Sequence, residues 1–187
     1  IAILPNVATR IDGLAMDTTL VSGNFFQMLG VNAMLGRALM PADDDPTAGH
    51  QVLVLSHKGW KKLFTADRAA IGRQVRVNGL PYDVVGVMAE DFRGLSVAAP
   101  DFWVPLALAE QFVPGAGKDG DLVVRDVVGR LPPGMSLEKA EAGLTVWASG
   151  RPDLKRNMPG RPNQISLTPN RGTLWPLSFR GLIAPIF

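Results

Sequence analysis

The 187-residue sequence contains no cysteine and only two histidines, His50 and His57. The missing thiols exclude disulfide bonds, thiolate catalysis, thiolate zinc sites and iron–sulfur clusters. Two histidines are too few for a histidine-built metal centre, so the sequence predicts a protein with no cofactor and no metal. A chain of this length buries about 70% of the surface that its unfolded form exposes, so it can hold a core without disulfides.

Long hydrophobic runs are also missing. No run approaches the ~20 apolar residues of a membrane-spanning helix, although 47% of the residues are hydrophobic and 19% are charged. The first residues lack the basic region and the cleavage site of a signal peptide. These values predict a soluble globular chain with one domain or two small ones. The sequence opens and closes inside apolar runs, so we expect it to be a piece of a longer protein.

Charge is distributed unevenly along the chain. Residues 1–150 carry 13 Lys/Arg against 16 Asp/Glu, a net charge of −3, whereas residues 151–187 carry 6 against 1, a net charge of +5. Nucleic-acid grooves interleave aromatic side chains with their cations, and the stretch 151–171 has no aromatic residue. We therefore interpret it as a solvated basic segment and expect no nucleic-acid partner.

Short strand and helix patterns alternate from residue 14 onward, which predicts a mixed α/β fold. Strands are predicted at 14–21 and 51–56, and the second is expected to be fully buried because its apolar run is continuous. Helices are predicted after two capping serines, Ser22 and Ser56, and the first is expected to stop at Gly30. The lysines of the second helix are predicted to face water: Lys58, Lys61 and Lys62.

The segment 73–87 gives the clearest local signal. It places Asn78-Gly79 between two β-rich runs, and both residue types tolerate the positive φ that a type I′ hairpin turn requires. Val75 and Val77 are predicted to point to the buried face of the first strand of this hairpin.

The remaining elements are predicted from shorter patterns. A strand is expected at 122–131 and another at 164–168, and Ser136 is expected to cap a helix between them. That helix carries an apolar stripe: Leu137, Ala140, Leu144 and Trp147. The loop 40–49 contains three consecutive acids, Asp43–Asp45, which we interpret as solvated because calcium loops space their acids at alternate positions.

Several motifs imitate catalytic signatures without meeting their geometry. Ser56 and His57 are adjacent, and neighbouring side chains on a helix diverge too far to act as nucleophile and base. The segment 94–98 lacks the second glycine of a nucleophile elbow. Gly117-Lys118 lacks the first glycine and the Ser/Thr of a phosphate-binding loop.

A further hypothesis is a hydrolase whose catalytic groups are carboxylates. Glu90, Asp91 and Asp101 are the only ones near a plausible cleft, and nothing in the sequence fixes their separation. This hypothesis requires them, or His57, to converge. We predict that the chain is not an enzyme.

One ordered series of motifs runs through most of the chain, and each motif alone is weak. Its members are 21–31, 35–37, 52–56 with Trp60 and Leu63-Phe64, 71–75, 77–87, 103–106 and 127–131, followed by the helix after Ser136. In this order the series resembles the periplasmic core domain of MacB-type ABC transporter permeases, within the FtsX-like group, over about residues 14–170.

The resemblance implies an α/β (α+β) fold with two parts. A discontinuous porter-like βαβ subdomain is expected at 1–56 and 121–174, and a smaller inserted α/β subdomain carrying the hairpin at 57–120. The residues 175–187 are expected to approach a transmembrane segment. The first strand and helix of the porter half are expected to be missing before Ile1.

The resemblance also implies a non-catalytic function. The domain is expected to face the periplasm at the cell inner membrane and to couple ATP-driven motion of the permease to substrate export. Its expected partners are the membrane-embedded remainder of the same chain, an ATPase domain or subunit on the cytoplasmic side, and a periplasmic adaptor protein.

A second hypothesis comes from a different class of protein. A small-molecule or lipid-binding domain would place its pocket between the two subdomains. Phe92, Phe102 and Trp103 are the candidate lining residues. Saturable thermal stabilisation by an apolar ligand would distinguish this hypothesis from a coupling domain.

Overall fold

The computed structural model describes residues 2–45, 51–116, 126–150 and 165–169. These ranges contain eight strands and four α-helices. The strands are β1 (Ala2–Ile11), β2 (Leu14–Val21), β3 (Leu35–Gly36), β4 (Val52–Leu55), β5 (Gln74–Val77), β6 (Leu80–Val87), β7 (Phe102–Pro105) and β8 (Asp126–Val127). The helices are α1 (Phe25–Leu29), α2 (His57–Phe64), α3 (Ala109–Phe112) and α4 (Leu137–Ser149).

Six of the strands close into a ring. Hydrogen-bonded neighbours follow the order β2-β7-β4-β6-β5-β1, and β1 pairs with β2 again. The β2–β7 and β4–β6 pairs are parallel, and the other four pairs of the ring are antiparallel. The short strands β3 and β8 attach outside this circuit, to β6 and β1. A closed sheet has no free edge along its circuit.

The ring separates two hydrophobic cores. Alternate residues of a strand point to opposite faces, and in β4 Leu53 and Leu55 belong to one core whereas Val52 and Val54 belong to the other. The inner core takes side chains from all six ring strands. The outer core lies between the ring and the segments that carry α1, Leu39 and Leu95. Burial on both faces explains why β4 is continuously apolar.

Several predicted elements are confirmed. β2, β4 and the β5–β6 hairpin lie where the sequence predicts them, and the hairpin turn has φ 48° at Asn78 and 88° at Gly79. Val75 and Val77 are buried, as predicted. Gly30 ends α1 in the left-handed conformation, and the Ser56 side chain caps α2 by accepting the Gly59 N–H.

Two local predictions are wrong. The Ser22 hydroxyl does not cap α1, because it accepts the N–H of Ala2 and donates to the Asn24 Oδ1. The predicted exposure of Lys58, Lys61 and Lys62 is confirmed, but the ammonium groups of Lys58 and Lys62 also pair with the carboxylate of Asp101. Residues 165–169 form no strand; the N–H of Ile165 donates to Thr145 of α4.

Strand β1 is a further difference, since the sequence patterns predicted nothing regular before residue 14. Its pairing with β2 shifts register between Leu4 and Val7, and Pro5 lies within that shift. The irregularity breaks the alternation by which a strand is recognised in sequence. β1 is nevertheless central to the fold, because it pairs with β2, β5 and β8.

The α4 helix is confirmed at its start, where the Ser136 hydroxyl accepts the Lys139 N–H. Its predicted apolar stripe is buried at Ala140, whereas Leu144 and Trp147 are exposed. The predicted strand 122–131 is described only from residue 126 onward, and β8 is the part that forms a ladder. The segment 175–187 lies outside the described residues.

The predicted two-part division cuts through the ring. β2 and β4 belong to the expected unit 1–56 plus 121–174, and they pair with β6 and β7 of the expected insertion 57–120. Within the described residues the two expected units thus share one sheet. The division itself stays a prediction.

Candidate functional site

Asp101, directly before β7, is a buried acid with several polar partners. Its side chain is 0% exposed and lies beside two lysines of α2, with Lys58 Nζ at 3.0 Å and Lys62 Nζ at 2.9 Å. The N–H of Asp17 donates to the same carboxylate at 2.9 Å. The Asp101 carbonyl accepts both the N–H and the hydroxyl of Ser56. Asp101 therefore joins β2, β7 and α2.

Electrostatics favour the ionised form of this carboxyl group. Burial alone raises the pKa of Asp101, but the hydrogen bond from the Asp17 N–H and the ammonium groups of Lys62 and Lys58 outweigh it. The pKa of Asp101 is therefore held below its usual value. A carboxylate with a lowered pKa and three contacts is suited to bracing a structure and unsuited to proton transfer near neutral pH.

A second braced acid lies in the loop after β3. Asp43 is 3% exposed, and the Arg37 guanidinium binds both of its carboxylate oxygens, at 2.6 and 2.9 Å. The N–H of Met40 donates to the same carboxylate. The interpretation of this acid as solvated is therefore wrong, because a bidentate arginine compensates its burial.

The neighbouring Asp44 ties this loop to two distant segments. Its carboxylate accepts the N–H of Gly23, before α1, at 3.2 Å and the N–H of Ala107, after β7, at 2.9 Å. Together Asp43 and Asp44 fix the loop that covers the outer core. We call Asp43, Asp44 and Asp101 the bracing acids.

The residues named for a hydrolase do not form a catalytic group. His57 Nδ1 lies 3.5 Å from Glu90 Oε1, but Lys61 holds the same oxygen at 3.3 Å and the Glu90 side chain is 75% exposed. Asp101 is occupied by lysines, and Asp91 is exposed. Within the described ranges, no group of three or more His, Asp and Glu side chains is placed to hold a metal ion.

The aromatic residues named for a ligand pocket lie on two faces of the ring. Phe92 and Trp103 are in contact, with ring centroids 5.5 Å apart, and both contact Phe26 in the outer core. Phe102 belongs to the inner core, because it precedes Trp103 on β7 and points to the opposite face. Ligand binding by these residues stays a prediction, and Phe102 does not share a face of the sheet with Phe92 and Trp103.

The sequence patterns missed the bracing acids. Asp101 and Asp44 accept hydrogen bonds from residues far along the chain, and Asp43 is paired with Arg37 only because the loop folds back on itself. Asp101 and its donor Asp17 are 84 residues apart. A signal was nevertheless present for Asp101, since Lys58 and Lys62 stand four residues apart and present two charges on one face of α2. None of the helices in the described residues could span a membrane.

Comparison with known proteins shows the family of this chain. The model of the MacB-like periplasmic core domain family matches residues 3–146. The macrolide export ATP-binding/permease protein MacB of Burkholderia cenocepacia (strain HI2424) is 32% identical over 139 residues, which are 72% of this chain and 20% of that protein. Its namesake from Chromobacterium violaceum is 30% identical over 133 residues, 71% of this chain and 20% of that protein.

A solved structure shows the same fold. The periplasmic region of MacB from Actinobacillus actinomycetemcomitans superposes with a TM-score of 0.53 at 17% identity, over 83% of this chain and 68% of that one. The α+β fold expected from the sequence is therefore confirmed.

The fold and the bracing acids thus define an α+β domain in which charged side chains tie the elements together. The chain belongs to the MacB-like periplasmic core domain family. It spans about a fifth of the length of the MacB relatives that it matches. The ATP-binding part of those relatives is not in this chain.

Proposed function

We propose that this domain faces the periplasm at the inner membrane and transmits ATP-driven motion of a permease to exported substrate or to partner proteins. It does so as a rigid body and makes or breaks no covalent bond. Family membership supports the location, and the printed names of the relatives, which combine export, ATP binding and permease, support the process.

The observation that carries this proposal is the braced ring. A displacement passes through a domain without loss only if the domain does not deform. Here the strands close on themselves, both faces of the sheet are packed, and the bracing acids tie the covering loop and α2 to the sheet. Close-packed cores of this kind have low compressibility and transmit strain.

The proposal names three partners. The membrane-embedded remainder of the same polypeptide would supply the motion, and an ATPase domain or subunit on the cytoplasmic side would drive it. A periplasmic adaptor protein would receive it. The names of the relatives support the first two partners, since they describe one protein with ATP-binding and permease parts.

Spin-label distances test the proposal in the full-length transporter in lipid nanodiscs. This domain has no native cysteine, so labels are placed at two exposed positions on different parts of it, Asn32→Cys and Arg68→Cys. A third label is placed in the membrane-embedded part. We expect ATP to leave the 32–68 distance unchanged and to shift the distance from residue 68 to the membrane label.

The matched control is the same set of labels in a transporter whose ATP hydrolysis is abolished. There we expect the distance from residue 68 to the membrane label not to cycle between its values with and without ATP. A 32–68 distance that changes with ATP would show a deforming domain. A fixed distance to the membrane label would show a domain that does not move. Either result overturns the proposal.

A further inference from the structure

The two tight hairpins of the ring carry the same short motif. Residues 10–14 read Arg-Ile-Asp-Gly-Leu and residues 76–80 read Arg-Val-Asn-Gly-Leu. In both, the two turn residues have positive φ: 47° and 86° at Asp12-Gly13, and 48° and 88° at Asn78-Gly79. The β1–β2 and β5–β6 turns are therefore two copies of one local structure.

The two turns are joined by reciprocal hydrogen bonds. The N–H of Asp12 donates to the Arg76 carbonyl at 3.1 Å, and the N–H of Asn78 donates to the Arg10 carbonyl at 2.9 Å. The side chains repeat the exchange: Asn78 Oδ1 accepts the Arg10 N–H at 3.0 Å, and Asp12 Oδ1 accepts the Arg76 N–H at 3.2 Å.

Each arginine also supports its own turn. Arg10 Nη1 donates to the Gly13 carbonyl at 2.9 Å, and Arg76 Nη1 donates to the Gly79 carbonyl at 3.2 Å. An aspartate or asparagine is required at the first turn position, because it tolerates positive φ and also offers a side-chain acceptor. We call residues 10–13 and 76–79 the hairpin clasp.

The clasp lies at the narrowest contact of the ring. Between β1 and β5 only Ile11 and Val77 are paired, whereas β1 and β2 are joined by seven residue pairs. The four hydrogen bonds of the clasp lie among exposed residues. The β4–β6 ladder, by contrast, lies between two cores. Local opening is expected where hydrogen bonds are exposed and few.

We infer that the hairpin clasp closes the ring and opens as one unit, with all four hydrogen bonds breaking together, while the rest of the ring stays folded. This inference goes beyond the proposed coupling function. In this view the ring opens at one defined place, the contact between β1 and β5. The alternative is that each hairpin end frays by itself.

Hydrogen exchange resolved to single amides in the full protein distinguishes these cases. Asn78→Gly keeps a residue that adopts positive φ but removes the acceptor of the Arg10 N–H. If the clasp opens as a unit, exchange accelerates about fivefold at Arg10, the typical effect of one hydrogen bond. It also accelerates by a similar factor at Asp12 and Arg76, whose own partners are untouched.

Acceleration confined to Arg10, or none at all, would show independent fraying and overturn the inference. Equal acceleration in β4 and β6 would show that the ring opens only by unfolding, with the same consequence. Asp12→Asn is the matched control, because it keeps both the acceptor and the tolerance of positive φ, and we expect unchanged exchange.

A disulfide supplies an independent arm of the test. Ile11 and Val77 form a non-hydrogen-bonded antiparallel pair, in which Cα atoms lie about 4.5 Å apart, within the range that a disulfide spans. Oxidised Ile11→Cys/Val77→Cys should slow exchange at all four clasp amides and abolish the effect of Asn78→Gly. Reduction should restore both. An oxidised protein whose clasp amides exchange as before would contradict the inference.

Discussion

At the scale of single residues, the domain pairs its buried charges within the fold. Asp101 accepts hydrogen bonds or ion pairs from β2 and α2, which are remote in sequence, whereas Asp43 binds Arg37 of its own loop in a bidentate pair. A buried charge of this kind is costly to leave unpaired. Replacing such an acid, or its partner, should therefore change the free energy of unfolding measurably.

Replacing Asp101 by asparagine tests this at neutral and acid pH. We expect Asp101→Asn to lower the free energy of unfolding at pH 7 by about 2 kcal/mol, because the variant loses charge-assisted hydrogen bonds. Since the pKa of Asp101 is lowered in the folded state, the ionised carboxylate stabilises the protein above its unfolded-state pKa of about 3.9. That stabilisation is lost as pH falls through the lower folded-state pKa.

Urea unfolding at pH 7 and at pH 3 measures the difference between the wild type and this variant. The difference should be largest at pH 7 and shrink below about pH 4. Asp91→Asn is the control, since Asp91 is exposed and such substitutions change stability by less than about 0.5 kcal/mol. A difference that is the same at both pH values would contradict the role given to the Asp101 charge.

The sequence predicted residue roles well only where the partner is local. The capping of α2 by Ser56 joins residues three apart, and it is confirmed. The burial of Asp43 depends on Arg37 and on a loop whose next residue, Asp44, accepts the N–H groups of Gly23 and Ala107, which the fold brings together. No pattern around residue 43 distinguishes that arrangement from a solvated acidic loop.

At the scale of elements, α2 is held against β7 by the absence of a side chain. A Cβ atom at Gly59 would overlap the backbone carbonyl of Asp101. The close approach lets the start of α2 reach that carbonyl through Ser56. Glycine is thus required in this helix for space, although it is a poor helix former.

A pair of glycine substitutions separates these two effects. In α4, a Cβ atom added at Gly143 would meet none of the described residues within 4 Å, so Gly143→Ala should stabilise the protein by up to about 1 kcal/mol through helix propensity. Gly59→Ala gains the same propensity but forces α2 away from β7, and we expect a net loss of about 2 kcal/mol.

Thermal unfolding monitored by circular dichroism measures both variants under the same conditions. Opposite signs for the two substitutions are the expected result. Stabilisation by Gly59→Ala would show that α2 does not need its close approach to Asp101.

Among the elements, the β5–β6 hairpin was predictable because its turn chemistry is local. Asn78-Gly79 indicates a tight turn without reference to the rest of the chain. Asp12-Gly13 carries the same signal and makes the same turn. It was missed because the strand before it, β1, has an irregular pattern around Pro5.

At the scale of the whole molecule, the shared ring determines how the domain unfolds. Since β2 and β6 belong to one closed circuit through β7 and β4, we expect them to lose structure at the same urea concentration, in a single transition. Pulsed hydrogen exchange at increasing urea, read on peptides from these two strands, measures this. Separate transitions would support an independent unit at 57–120.

The order of short motifs predicted the family and the fold class, because that order reflects the whole chain. The closed ring was not predictable in the same way. Its closure depends on the contact of β1 with β5, where a single pair joins residues 66 positions apart, Ile11 and Val77. Such a contact leaves no periodicity in the sequence.

The polypeptide enters and leaves the ring side by side, because Ala2 pairs with Val127 and Ile3 with Asp126. From there β1 runs ten residues to the turn at Asp12, a length of about 30 Å at the usual rise of a strand. Under the proposed coupling function, these two paired strands would be the pivot and the length of β1 would be the lever arm. A tilt of about 10° at the pivot would carry the opposite tip through about 5 Å, so a small rotation at the attachment would give a large displacement at the far end.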